Sequence, residues 1–237
     1  MTIGEVYFNG KNLKDMGVYV TNAGAYTAPQ KVYEVKKVPG RNGDFLFDTE
    51  KYENVNIVYP AFIYENFEVN VDALRNFLLS TSGYCRLEDS FHPDEYRLAS
   101  YQDDFKLSSL KGDKKGAFDL VFNCKPQRFL KSGEEFKTYT SNFILYSPYS
   151  FPSKPIIRVY GVGTFVVENN TITVSSHSGI PYIDMDCDLK DCYYNGTNCN
   201  NYVSFSTDDF PVLKESTLFT FGSGITRLDV MPRWYRL

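Results

Sequence analysis

The chain has 237 residues, 43% hydrophobic and 23% charged, with a formal net charge of −4. That length buries one good core or two modest ones, and it excludes a disordered tail or a mini-scaffold. The acid–base balance is even along the chain and excludes a basic nucleic-acid platform, no apolar run approaches the ~20 residues that span a bilayer, and 19 Tyr with 19 Phe tilt the composition toward strands.

The N-terminus, Met1-Thr2-Ile3-Gly4-Glu5, carries no basic stretch followed by an apolar core, so a soluble protein made in the cytosol is expected. Glu5 to Phe8 reads as a strand stopped by the Asn9-Gly10 turn, and Val18-Tyr19-Val20 as a second short run. From Lys31 to Val38 apolar and charged residues mix on both faces, which suits an exposed arm. The arm turns at Pro39-Gly40-Arg41-Asn42-Gly43-Asp44 and returns through Phe45-Leu46-Phe47, so a long charged hairpin projecting from the body is expected.

Asn54 to Tyr64 is rich in strand formers, with Pro60 marking an edge or a bend because it lacks an N–H. One helix follows: Asn70 is placed to cap it, Asp72 suits the positive end of its dipole, and Val71, Leu74, Phe77 and Leu78 form an apolar stripe before Gly83. Short strands are expected over 83–87 and 95–101, a polar turn over 111–116, and a well-marked strand over 117–124, where Phe118, Leu120 and Phe122 alternate with Ala117, Asp119 and Val121. Residues 1–140 therefore read as a mostly β unit with one helix.

Residues 141–155, with three prolines between Pro148 and Pro155, read as the connection to a second unit over 156–237. Beyond it seven short β runs recur about ten residues apart, over 156–160, 164–168, 172–174, 182–185, 202–205, 218–221 and 225–231, the pattern of a β-sandwich.

Catalytic and metal chemistry finds little support. Asp184, Asp186 and Asp188 open like an EF-hand loop, but Leu189 stands where the turn needs Gly and Asn195 where the bidentate Glu belongs. Alternation instead turns Ile183, Met185 and Cys187 inward and the aspartates to water. The two histidines, His92 and His177, lack a paired acid or second His at ligand spacing, and Gly222-Ser223-Gly224 lacks the helix of a nucleophile elbow. Five cysteines, at 85, 124, 187, 192 and 199, form no close pairs and read as reduced structural thiols. No phosphate cradle appears: Gly112 to Gly116 lacks the Lys-Ser/Thr that follows such a loop. No catalytic, cofactor or metal site is expected. Aromatics of the second unit, Tyr182, Tyr193, Tyr194, Trp234 and Tyr235, leave a sugar-stacking use open beside ordinary packing.

Four stretches together carry a resemblance. They are Pro39 to Asp44 with Tyr52-Glu53-Asn54-Val55; the helix from Asp72 to Leu78 with Gly83 to Asp89; the strand end Phe122 to Phe129; and Pro232-Arg233-Trp234-Tyr235. In order and spacing the chain resembles the distal tail proteins (Dit) of siphophages and related prophages over essentially its whole length. The resemblance implies a mainly β fold, an N-terminal ring domain with one helix followed by a galectin-like β-sandwich. It implies a structural, non-enzymatic hub at the phage tail tip, made in the host cytoplasm, which joins the tail tube to tail-associated lysin or fibre-type proteins. The implied assembly is a hexamer, with host-surface glycan as a further partner if the sandwich is an adhesin module, and with no specific nucleic-acid binding or membrane insertion. The arm would then lie across a neighbouring subunit, so Pro39, Gly40, Arg41, Asn42, Gly43 and Asp44, and secondarily Arg128 and Phe129, are the expected subunit contacts.

Overall fold

A computed structural model describes residues 3–22, 27–103, 108–109, 115–207 and 209–237. The chain divides into two compact units, Met1–Arg128 with Leu237, and Phe129–Arg236. That boundary precedes the expected one at 140, and it places the whole Pro-rich segment inside the second unit.

The first unit contains strands β1 (Val6–Phe8), β2 (Lys11–Asn12), β3 (Tyr19–Val20), β4 (Lys31–Lys36), β5 (Phe45–Tyr52) and β6 (Val55–Ile63). After them come helix α1 (Phe67–Ser80), β7 (Cys85–Asp89), β8 (Glu95–Tyr101), β9 (Ser108–Ser109) and β10 (Gly116–Leu130), whose end runs into the second unit. Its main sheet has the order β2-β1-β7-β8-β10-β6-β3. Alternation along β10 buries Phe118, Leu120, Phe122 and Cys124, and these join Phe8, Ile57 and Tyr59 in one core with Leu74 and Leu78 of α1. The Phe8 and Phe122 rings lie 4.8 Å apart at their centroids.

The helix begins before the expected Asn70. Asn66 occupies the cap position in the left-handed region without a side-chain bond, while Asn70 lies within the first turn and donates its amide to the Glu65 carbonyl at 2.8 Å. Pro60 sits between neighbours rather than at the sheet edge, opposite Asp119 of β10. A strand residue points its N and C=O to the same side, and the Pro60 carbonyl accepts from Thr21 N–H just past the end of β3. The missing donor therefore faces the side where pairing with β3 has ended, and no bond to β10 is lost.

The second unit contains β11 (Lys137–Tyr139), β12 (Phe143–Tyr146), β13 (Ile156–Gly161), β14 (Gly163–Val167), β15 (Asn170–Val174) and β16 (Ile183–Asp186). It continues with β17 (Asp191–Tyr194), β18 (Thr197–Asn198), β19 (Val203–Phe205), β20 (Ser216–Phe221), β21 (Ile225–Met231) and β22 (Tyr235–Arg236). Two sheets, β11-β21-β13-β16-β17-β18 and β12-β20-β14-β15-β19, contribute to a single core, with Ile157, Met185 and Leu228 from one and Phe165, Ile172 and Phe219 from the other. This is the expected sandwich, enlarged by β11, β12, β17 and β18. The segment read as a linker is pinned to it: Ser147 N–H donates to the Glu215 carbonyl, and Ser153 exchanges backbone bonds with Leu213 while its hydroxyl donates to the Pro232 carbonyl at 2.7 Å.

Gly222-Ser223-Gly224 is a turn, as the absence of a following helix implied. It crosses the Gly161–Gly163 turn backbone on backbone: a Cβ on Gly224 (φ +84°) would lie 1.9 Å from the Val162 oxygen, and one on Gly163 1.8 Å from the Ser223 oxygen. Gly224→Ala is expected to destabilise the protein by at least about 2 kcal/mol, from the clash and the left-handed φ together, read as a lowered urea midpoint with an unchanged slope.

Candidate assembly surfaces

The expected arm is the hairpin β4–β5, a two-stranded sheet of its own among the described residues. Its root is tied by an ion pair between Lys31 and Asp48 and by the Thr49 hydroxyl donating to the Val32 carbonyl at 2.6 Å. The register places Val35 opposite Leu46 and Lys36 opposite Phe45. One face therefore carries Tyr33, Val35 and Leu46, and the other Phe45 and Phe47. Both faces are open: Leu46 is 63% exposed, Val35 55% and Phe47 50%. At the tip, Gly40 and Gly43 adopt positive φ, and the Arg41 guanidinium lies 4.1 Å from the Phe45 ring centre. A two-stranded hairpin with apolar side chains exposed on both faces is marginal in water by itself and is the kind of element that pairs with another chain.

The second expected contact is placed differently. Arg128 is not an open surface residue: its guanidinium pairs with Glu95 at 2.6 Å, and both side chains are largely buried. Phe129 is half-buried, its ring 6.0 Å from that of Tyr235. The structure thus leaves residues 39–44 exposed and turns Arg128 inward.

His92 and the β16 aspartates have partners that catalytic or metal-ligand spacing in the sequence does not predict. His92 does have a paired acid, since its Nδ1 lies 3.0 Å from Asp89 Oδ1. The same carboxylate accepts from the Tyr59 hydroxyl at 2.8 Å and from the backbone N–H groups of Phe91 and His92. Burial, with the Asp89 charge and hydrogen bond adding to it, drives the Tyr59 phenol well above its ordinary value. A three-residue spacing within a turn produced this pairing, and it was present in the sequence. Ile183, Met185 and Cys187 are indeed core residues, yet Asp184 and Asp186 are buried too. Arg158 donates to Asp184 at 2.7 and 3.0 Å, and Arg233 donates to Asp186 at 2.8 Å through two nitrogens.

The aromatic candidates for sugar stacking are mostly engaged. Trp234 is buried, Tyr194 packs on the core, and Tyr182 is covered by the Arg158 guanidinium at 4.1 Å. Tyr235 lies against Phe129 and Phe151, and Tyr193 is half-buried. His177 meets the Tyr202 ring edge-on. All five cysteines are free thiols, four of them buried, and burial raises the pKa of Cys124 and Cys192 to about 12. Of the polar turn expected over 111–116, residues 111–114 lie outside the described set. Among the described residues no three His, Cys, Asp or Glu side chains converge as a metal site.

A helix-bearing β unit with a projecting hairpin, followed by an eleven-strand sandwich within one chain, is a specific architecture. The crystal structure of the Dit protein of phage SPP1 superposes on it with a TM-score of 0.76 at 14% identity, over 100% of both chains. The fold is that of a Dit protein. That neighbour is described as a paradigm of the hub adsorption apparatus in phages infecting Gram-positive bacteria. A chain of the phage p2 baseplate, in its activated conformation with Sr, is also similar, with a TM-score of 0.54 at 11% identity over 96% of each chain. No family model and no curated protein matches the sequence.

Proposed function

We propose that this protein is a structural hub of a phage tail tip, a homo-oligomeric ring, hexameric by the family resemblance, that joins the tail tube to tail-associated and host-adhesion proteins. The observation that carries the reading is the superposition of the entire chain, both units included, on the Dit hub protein of SPP1. The exposed apolar arm supports it independently, because a ring subunit needs a surface complementary to a different patch of its neighbour, and a hairpin reaching out of the body supplies one. Residues 39–44 at the arm tip are the subunit contact in this reading, with half-buried Phe129 beside the Glu95-paired Arg128 as the secondary one.

The test is the mass of the purified chain in solution, by light scattering across a concentration series. A closed oligomer of six is expected, and deletion of residues 40–43 is expected to shift it toward smaller species. A strictly monomeric protein that also captures no tail-tube or adhesion protein overturns the reading.

A further inference from the structure

The first unit contains a cleft of about 290 Å³ on the side of the sheet that includes Tyr59 and Leu87, with Asn22 and Thr27 at its rim. Ile57, Leu87 and Phe91 give it apolar walls, and five charged residues reach it from β7, β8 and β10: Glu88, Asp89, Glu95, Arg97 and Arg128. Four of these have partners in contact. Asp89 holds Tyr59 and His92, and Glu95 is paired with Arg128. Glu88 is paired with Arg86.

Arg97 is the remaining charge. Among the described residues no carboxylate comes within 4.0 Å of its guanidinium, and burial pulls its pKa below the ordinary arginine value. A guanidinium with five donors cannot discharge itself by losing a proton near neutral pH, so a partly buried one that no carboxylate touches, drawn only at a distance by the Glu95 charge, favours an anion placed against it.

We propose that this cleft is a carboxylate-binding site, with Arg97 as the residue that grips the ligand through its forked N–H groups. Several features select the ligand class. The guanidinium fork matches a carboxylate bidentately. Asp89, held by a hydroxyl, a ring nitrogen and backbone N–H groups rather than by a lysine or arginine, stands in the same lining and disfavours a doubly charged anion such as phosphate more than a singly charged one. The walls of Ile57, Leu87 and Phe91 accept a short aliphatic stem beside the charge. The ligand is thus a single carboxylate on an apolar stem, either an acidic side chain of a second copy of this chain or a free small monocarboxylate. The site does not depend on the ring reading, since an isolated subunit contains all of its residues.

Propionate is the probe, tested on the full chain against chloride at equal ionic strength. With five non-hydrogen atoms it is expected to bind with a Kd on the order of 10 mM. At roughly 100 mM it should raise the thermal midpoint of the wild type by about 3 °C. The rise should vanish in Arg97→Gln and Arg97→Met, and without propionate Arg97→Met should be at least as stable as the wild type, because it removes a partly buried charge that no carboxylate touches. Propionate that shifts the mass distribution toward smaller species identifies the natural carboxylate as one from a second copy. Propionate that binds without changing that distribution identifies it as a free small acid. Equal protection by propionate and chloride, protection that persists in both variants, or a marked loss of stability in Arg97→Met overturns the proposal.

Discussion

A chain in which Val35, Leu46 and Phe47 are all replaced by serine is expected to remain folded and to lose self-association. The three side chains are already half or more exposed in the subunit, so removing them takes little from the folded state, and surface changes of this kind fall within about 0.5 kcal/mol each. Buried against a neighbour, each apolar side chain contributes roughly 1.5–3 kcal/mol. Discounting for the ordering of the arm, three of them still weaken one subunit contact by about 4 kcal/mol, a factor on the order of 10³ in the dissociation constant. Because a closed ring repeats the contact at every interface, the mass should fall to that of the monomer at concentrations where the parent is assembled. Light scattering gives the mass and urea unfolding the stability. An unchanged mass shows that the arm is not the contact, and a collapsed urea midpoint shows that the arm supports its own subunit instead.

The features that were legible in the sequence share one property: their signal lies within a short window. Alternation of Phe118, Leu120 and Phe122 with Ala117, Asp119 and Val121 needs only a two-residue period, and the burial along β10 obeys it. The arm announced itself through Pro39-Gly40 and Asn42-Gly43, which mark a tight turn between mixed-face strands. The apolar stripe marks the helix but not its start, because Asn70 resembles a cap while the turn is entered through Asn66 in a left-handed conformation.

What stayed hidden depends on partners far along the chain. Prolines at 148, 152 and 155 suggested a linker, yet the backbone N–H groups that hold this segment to the sandwich belong to Ser147 and Ser153, and their acceptors lie at Glu215 and Leu213. The period along β16 correctly turned Ile183 and Met185 inward, but nothing local shows that the opposite face is roofed by arginines 26 and 47 residues away. Arg97 is similar: β8 alone says nothing of the apolar walls that Ile57 of β6 and Leu87 of β7 bring to the same cleft. The Asp89–His92 pair is the exception, a local contact within one turn whose three-residue spacing follows turn hydrogen bonding rather than catalytic or metal-ligand geometry.

Asp186→Ala is expected to be the most damaging single substitution in the sandwich, costing about 3–5 kcal/mol, since it removes one partner of a buried ion pair and strands the other. Asp186 is 2% exposed. Its carboxylate accepts from two nitrogens of Arg233 and from the backbone N–H groups of Asp188 and Leu189 at 3.0 and 3.1 Å. Burial by itself raises the pKa of this carboxylate, but the Arg233 guanidinium and the two N–H groups outweigh it, and the net shift is downward. A folded-state pKa below the unfolded value of about 3.9 stabilises the protein above that pH, and the contribution is lost as pH falls through the folded pKa. The deficit of Asp186→Ala measured by urea unfolding should therefore be full at neutral pH and shrink below about pH 4. Asp186→Ala combined with Arg233→Ala should cost less than the two single substitutions added, by about 1–3 kcal/mol, because the double variant leaves no unmatched charge behind. Additive costs, or a deficit that stays constant through the acid range, would assign the stability to local backbone geometry around Asp188 and Leu189 rather than to the pair.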